Sequence, residues 1–126
     1  MQIIADTNFL MIPGMFGVDV VSELEKLLDH RYKLVILSPV MRELEQISEK
    51  GKPKERVAAR IGLMLVKRGS VIKAKGGADE SILNLATNKQ CAVGTTDAAL
   101  RKELRRRGVP VIYLRQKSHL AVDGWI

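Results

Sequence analysis

Apolar and polar positions along the chain switch between two rhythms. Short apolar, β-rich runs recur at Gln2 to Ala5, Lys33 to Leu37 (KLVIL), Ser70 to Ala74, Cys91 to Gly94 and Val109 to Leu114. Stretches of helical period lie between them. Val18 to His30 (VDVVSELEKLLDH) sets Val21, Leu24, Leu27 and Leu28 on one face, and Val40 to Ser48 turns Leu44 and Ile47 inward. Val57 to Arg68 stops at Gly69, in the usual position after a helix C-terminus. Ala78 to Lys89 and Ala98 to Arg107, the latter stopped by Gly108, complete the set. Glu49 to Arg56 (EKGKPKER) reads as a charged loop because Gly and Pro interrupt it. Leu10, Met11, Ile12, Met15 and Phe16 crowd around Pro13-Gly14, which reads as a turn. Their side chains suit the core or a subunit contact, the second of which would allow a homodimer. The tail after Arg115 (QKSHLAVDGWI) fits a short edge strand or a packed extension equally.

Five strands separated by helices predict right-handed crossovers and an α/β fold, a mainly parallel five-stranded sheet with helices on both faces. At 126 residues, with no repeat or linker, the expectation is a single domain over 1–126.

Composition narrows the class. The balance of 46% hydrophobic and 28% charged residues is that of a globular chain and excludes a disordered one. No apolar run approaches the ~18 residues of a membrane-spanning helix, and MQIIADTNFL lacks the basic start and apolar core of a signal peptide. The single cysteine, Cys91, cannot form an internal disulfide and has no metal-ligand spacing around it, which fits a reducing, cytoplasmic setting. Lys and Arg outnumber Asp and Glu by 21 to 14, for a net charge of +7. Such a surplus favours polyanions, nucleic acid first among them, although solubility alone also accounts for it.

Four acidic residues fall where such sheets collect function, beyond the carboxyl ends of the strands. Asp6 ends the first strand, and Asp97 follows the fourth in CAVGTTD. Glu43 lies about one turn into the helix after the second strand, and Asp79 opens the helix after the third. Every helix leaving a strand's carboxyl end starts at the same edge, so the topology gathers all four there. Clustered carboxylates repel and need cations; hard oxygen ligands suit Mg²⁺ or Mn²⁺ better than zinc. Each residue also has a local explanation. Asp79 and Asp97 stand where helix caps belong, Asp6 can tie down its own turn, and Glu43 can be an ordinary exposed glutamate. Glu80 reads as favourable charge in a first helical turn.

At these residues the chain resembles the PIN-domain ribonucleases. DTNFL at Asp6, SPVMRELEQI around Glu43, GGADESIL around Asp79 and VGTTDAALRKEL around Asp97 are similar to that family's acidic signatures, in order and spacing, across nearly the whole chain. MQIIADTNFLMIPGMFGVDV and GVPVIYLRQKSHLAVDG further resemble the branch related to the pre-ribosomal-RNA processing nuclease of the small-subunit processome. The resemblance implies a single PIN-like domain and a metal-dependent endoribonuclease, acting in rRNA processing or RNA maturation. Asp6, Glu43, Asp79 and Asp97 would form the catalytic set, with Asp6, Asp79 and Asp97 as metal ligands. Many PIN domains carry a further acidic residue two positions after the fourth; Ala99 stands there and argues against a fully liganded second metal. Asn8 and Thr96 are candidates to hydrogen-bond the carboxylates and orient them, or plain turn and helix-entry residues.

A substrate grip would come from basic residues. Arg101, Lys102, Arg105, Arg106 and Arg107 decorate the helix after Asp97, while Lys50, Lys52, Lys54 and Arg56 crowd the loop at Glu49 to Arg56. Of these, Lys52, Lys54, Arg56, Arg101, Arg105 and Arg106 are the RNA-contact candidates; otherwise they form solvated faces. Aromatics are only 4%, so stacking platforms are scarce and the grip should favour backbone over bases. His30 and His119 lack partners at ligand spacing and read as surface or packing residues. A receiver domain would want paired acids after the first strand, and a haloacid-dehalogenase-like phosphatase would want Asp-x-Asp, where Asn8 fills the second place. The same acidic set would serve a toxin of a toxin–antitoxin pair. A non-catalytic RNA-binding assembly factor would gain nothing from carboxylates beside a polyanion.

Overall fold

The computed structural model describes residues 1–28, 31–87 and 90–126. In chain order the elements are β1 (Gln2–Ala5), α1 (Thr7–Leu10), α2 (Ile12–Phe16), α3 (Val20–Leu27), β2 (Lys33–Leu37), α4 (Ser38–Lys50), α5 (Pro53–Val66), β3 (Ser70–Ile72), α6 (Ala78–Thr87), β4 (Cys91–Gly94), α7 (Ala98–Arg106), β5 (Val111–Arg115) and β6 (His119–Asp123). They build one sheet in the order β3-β2-β1-β4-β5-β6, flanked by the helices. All pairings are parallel except β5 with β6. The expected α/β fold is therefore present, with one strand more than expected. The tail takes the edge-strand alternative: Leu114 pairs Leu120 and Ile112 pairs Val122 across an antiparallel ladder.

The central strands are apolar throughout because both their faces are covered. Ile3 and Ile4 of β1, Ile36 of β2, Val93 of β4 and Ile112 of β5 are fully buried. Phe9 of α1 lies over the carboxyl end of β4, where any Cβ on Gly94 would strike its ring at 2.8 Å. That close approach seats α1, and with it Asp6, against the sheet.

Two expectations are corrected. Pro13-Gly14 is not a turn but part of α2, and Leu10, Met11 and Ile12 enter the core while Phe16 stays exposed. Pro13 fits in the helix's first turn, where no N–H is needed, and Gly14 lets α2 close onto Ala58 of α5. Likewise Glu49 to Arg56 is mostly helical: α4 runs to Lys50 and α5 starts at Pro53, leaving only Gly51 and Lys52 between them. Pro53 opens α5 and the Glu55 side chain reaches back to accept the Lys52 N–H at 2.9 Å, a one-sided cap that charge and Pro/Gly content conceal. His30 and Lys89 lie outside the described residues, while His119 sits in β6, with Nδ1 2.9 Å from the Ser118 hydroxyl. Among the described residues, no helix is long and apolar enough to cross a membrane.

Candidate active site

β1 and β4 run parallel with Ala5 opposite Gly94, and the Asp6 N–H donates to the Gly94 carbonyl at 2.9 Å. This places Asp6 beside Thr95 at the carboxyl edge, and both are buried. Asp6 Oδ1 accepts the Thr7 N–H, and Oδ2 accepts the Thr95 hydroxyl, each at 2.8 Å. The Thr95 oxygen in turn accepts the Asp97 N–H at 3.1 Å, so one hydroxyl links the first and fourth acids. Thr7 donates its hydroxyl to Glu43 Oε2 at 2.7 Å and ties α4 to the end of β1. Asn8 Oδ1 accepts the Thr96 N–H at 2.9 Å. Asn8 thus joins the two loops, whereas Thr96 takes part through its backbone and its side-chain role is filled by Thr95. The sequence points to Thr96 and passes over Thr95. Burial separates them: Thr95 N–H still donates to Ile112 in the ladder at 3.1 Å, while Thr96 is the first exposed residue beyond it.

The remaining acids arrive on helices. Asp97 caps α7, with Oδ1 accepting the Ala99 and Leu100 N–H groups at 2.8 and 3.2 Å. The cap occupies that oxygen only. Asp79 is not a cap; it is the second residue of α6, in the first turn.

Electrostatics connect the four. Burial raises the Asp6 pKa above its ordinary value; hydrogen bonds from Thr95 and Thr7 oppose the rise, and the charges of Asp79 and Glu43 add to it. Asp79 is also raised, by burial first and then by Asp97 and Glu43, and no hydrogen bond or cation lowers it. Asp6 and Asp79 therefore each feel two other acids across the edge, a field that a cation would relieve. Among the described residues, no three Asp, Glu, His or Cys side chains already stand as a metal-holding group. Asp6, Glu43 and Asp97 are instead turned to the donors just described. The donor set is all oxygen and anionic, so it fits a hard divalent ion. The edge is shallow: beside Glu43 a groove of about 340 Å³ runs past Gln46 and Ile47 to Lys50 and Gly51. A cavity of about 530 Å³ lies at the opposite edge, away from the acids.

Repulsion of this kind has a measurable cost. An acid with a raised folded pKa binds protons more tightly when folded, so stability falls as pH rises from the unfolded value through the folded one. Glu43→Gln keeps an oxygen for Thr7 and removes a charge that acts on both Asp6 and Asp79. In chelator at pH 7 this variant should melt higher than the parent, by about 1–4 °C for a domain of this size. The gap should close at pH 4, where the acids protonate. Melting curves at the two pH values check this, and a lower-melting variant at pH 7 would remove the repulsion.

The basic candidates divide. α4 starts at the carboxyl edge, and α5 descends from beyond it to Gly69, which packs on Leu34 near the start of β2. The turn between them therefore stands on the acidic side, with Lys52 and Lys54 exposed and the Arg56 Nη1 donating to the Gly51 carbonyl at 3.0 Å. α7 runs the other way, carrying Arg105 about 12 Å from Asp97. Arg101 and Arg105 pair with Asp123 of β6 at 2.9 and 3.1 Å, and Arg101 also lies 3.6 Å over the Tyr113 ring. Arg106 pairs with Glu103 at 2.6 Å; together with Arg107 it holds that carboxyl down to about 2.

A mostly parallel sheet whose carboxyl edge gathers four acids beside the buried Thr7 and Thr95 defines an α/β domain with an anionic edge. The chain belongs to the PIN like domain family, which it matches over residues 3–117. It is 33% identical to Ribonuclease VapC4 of Methanocaldococcus jannaschii over 129 residues, covering 99% of this chain and 98% of the relative. It is 32% identical to Ribonuclease VapC9 of Archaeoglobus fulgidus, covering 95% of this chain and 87% of the relative. In fold it resembles the PIN domain endonuclease Utp24, with a TM-score of 0.80 at 24% identity over 99% of this chain and 92% of that one. VapBC2 from Rickettsia felis, bound to a promoter DNA fragment, matches with a TM-score of 0.65 at 18% identity, covering 91% of this chain and all of the other. The resemblance seen in the four acidic signatures thus holds at the level of family and fold, and relatives across the full length are ribonucleases by name.

Proposed function

We propose that this chain is a divalent-metal-dependent endoribonuclease that hydrolyses RNA phosphodiester bonds, with Asp6, Glu43, Asp79 and Asp97 as its catalytic set. The observation that carries this reading is the gathering of acids at one sheet edge, where Thr95 joins Asp6 to Asp97, Thr7 holds Glu43, and Asp79 lies near enough for its charge to act on Asp6. Asp6, Asp79 and Asp97 would hold Mg²⁺ or Mn²⁺, with Glu43 facing the same cleft. The ion would neutralise phosphate charge and supply an activated water. The chain's own residues do the rest. Thr95 fixes the Asp6 carboxylate and the Asp97 backbone in one frame, Thr7 holds Glu43 toward the site, and Asn8 locks the two loops together. A cleavage assay with RNA labelled at one end tests the reaction type. Internal fragments from the first turnover support it; mononucleotides alone would contradict it.

Beside the bond that is cut, RNA is gripped by Lys52 and Lys54 rather than by Arg105 and Arg106, which lie farther down α7 in ion pairs. Lys52→Glu with Lys54→Glu should weaken RNA binding about tenfold near 0.1 M salt and flatten the salt dependence by about one to two units. Binding titrations at several salt concentrations check it, and an unchanged slope would place the RNA elsewhere.

Two settings fit this chemistry. One is rRNA processing or RNA maturation. The other is a nuclease held by a protein partner, which the names of the two full-length relatives and the VapBC2 complex favour. Purification from the native cell separates them, since a stoichiometric small partner marks the second.

A further inference from the structure

A cavity lies at the edge opposite the acids, where the ends of α6 and α7 meet the starts of β4 and β5. Thr87, Gln90, Cys91, Arg107, Pro110 and Trp125 line it. Trp125 is 94% exposed, an unusual state for the chain's single tryptophan. Arg107 stands beside it, donating to Glu103 at 3.0 Å and to the Thr87 hydroxyl at 3.4 Å. Across Met1 and Gln90 the groove continues to Lys33, and no Asp or Glu side chain lines either part among the described residues. An exposed indole, a guanidinium and amide and hydroxyl edges around an open groove form a stacking and phosphate-binding site for one base of a single strand. The volume of about 530 Å³ is that of a small-ligand pocket.

α7 connects this groove with the acidic edge. It starts at Asp97 and ends at Arg106, about 13 Å apart along the axis. Lys102 and Arg106 are exposed along it, and the Arg106 side chain is 70% accessible despite its pair with Glu103. Exposed pairs of this kind contribute little, so Arg106 can exchange Glu103 for a phosphate at small cost. A strand cut at the acids can follow α7 to the groove.

We propose that the Trp125 groove is a second RNA-binding subsite, which stacks a base of the same strand several nucleotides from the bond that is cut. The proposal rests on the endoribonuclease reading. Because Trp125 is the only tryptophan, its fluorescence reports the subsite directly. The experiment titrates wild-type protein in chelator with oligouridylates of about 4 and about 12 nucleotides, which bracket common single-strand site sizes. Fluorescence is read beside the anisotropy of a 5′-dye. The longer strand should quench Trp125 with the same midpoint as the anisotropy. Trp125→Ala should weaken its binding on the order of tenfold, with Trp125→Phe restoring most of the loss. Since Trp125 is exposed, both variants should keep the parent's melting temperature. Binding by anisotropy with unchanged fluorescence and full affinity in Trp125→Ala would overturn the subsite and leave the nuclease reading intact. Failure to bind or cleave any RNA would instead sink the nuclease reading, and the subsite with it. Quenching on concentrating the protein alone would make the groove an interface between copies and likewise overturn the proposal.

Discussion

Asp97→Asn protein should bind RNA and leave it uncut. The asparagine oxygen can still accept the Ala99 and Leu100 N–H groups, so the α7 cap survives. What disappears is negative charge at the edge. Cleavage should fall on the order of 10²- to 10³-fold or more, as when one preorganised group that stabilises transition-state charge is removed. Asp6→Asn should lose activity as completely, with an added penalty. Its two oxygens accept from Thr7 and Thr95 in a buried site, and an amide cannot accept at both. Stranding one buried group costs about 1–3 kcal/mol. Single-turnover cleavage with parallel melts separates the two variants. An Asp97→Asn enzyme of parental activity would reduce Asp97 to a helix cap.

Thr95→Val carries the second large effect. Valine keeps the shape and removes the hydroxyl that donates to Asp6 and accepts from Asp97. Groups that orient metal ligands are worth about 10–100-fold in metal affinity or activity, and the stranded partners cost about 1–3 kcal/mol of stability. The pH profile distinguishes positioning from bulk destabilisation. The Thr95 hydrogen bond lowers the Asp6 pKa against its burial, so the variant's Asp6 should rise further. Ionisation, and with it cleavage, then begins at higher pH than in the parent. Thr95→Ser should restore both rate and profile. A Thr95→Val protein with the parent's acid limb would mean that the threonine serves packing alone.

The acids were legible in the sequence because strand ends and helix starts can be read from periodicity, and parallel topology maps them all to one edge. Asp6 and Asp97 follow from that rule alone. The threonines were not legible, since the choice between Thr95 and Thr96 depends on where the β4–β5 ladder stops. Residues 49–56 misled for a related reason: Pro53 marks a helix start as readily as a loop, and only the Glu55 cap decides. The β6 tail alternates too weakly to reveal its partner, which lies across the Gln116 to Ser118 turn. Charge pattern flagged Arg105 and Arg106 as substrate contacts. It could not show that Asp123 and Glu103, distant or adjacent in sequence, already pair with them.

The central claim is that the acidic edge cuts RNA only when it holds a divalent cation. The most direct measurement follows cleavage of a structured RNA by purified protein as Mn²⁺ or Mg²⁺ is titrated into the chelated enzyme, with Asp97→Asn prepared in parallel. The account predicts no products in chelator, a saturable rise in internal cuts with metal, and no rise in the variant. Equal cleavage with and without chelator, or cleavage that persists in Asp97→Asn, would contradict it.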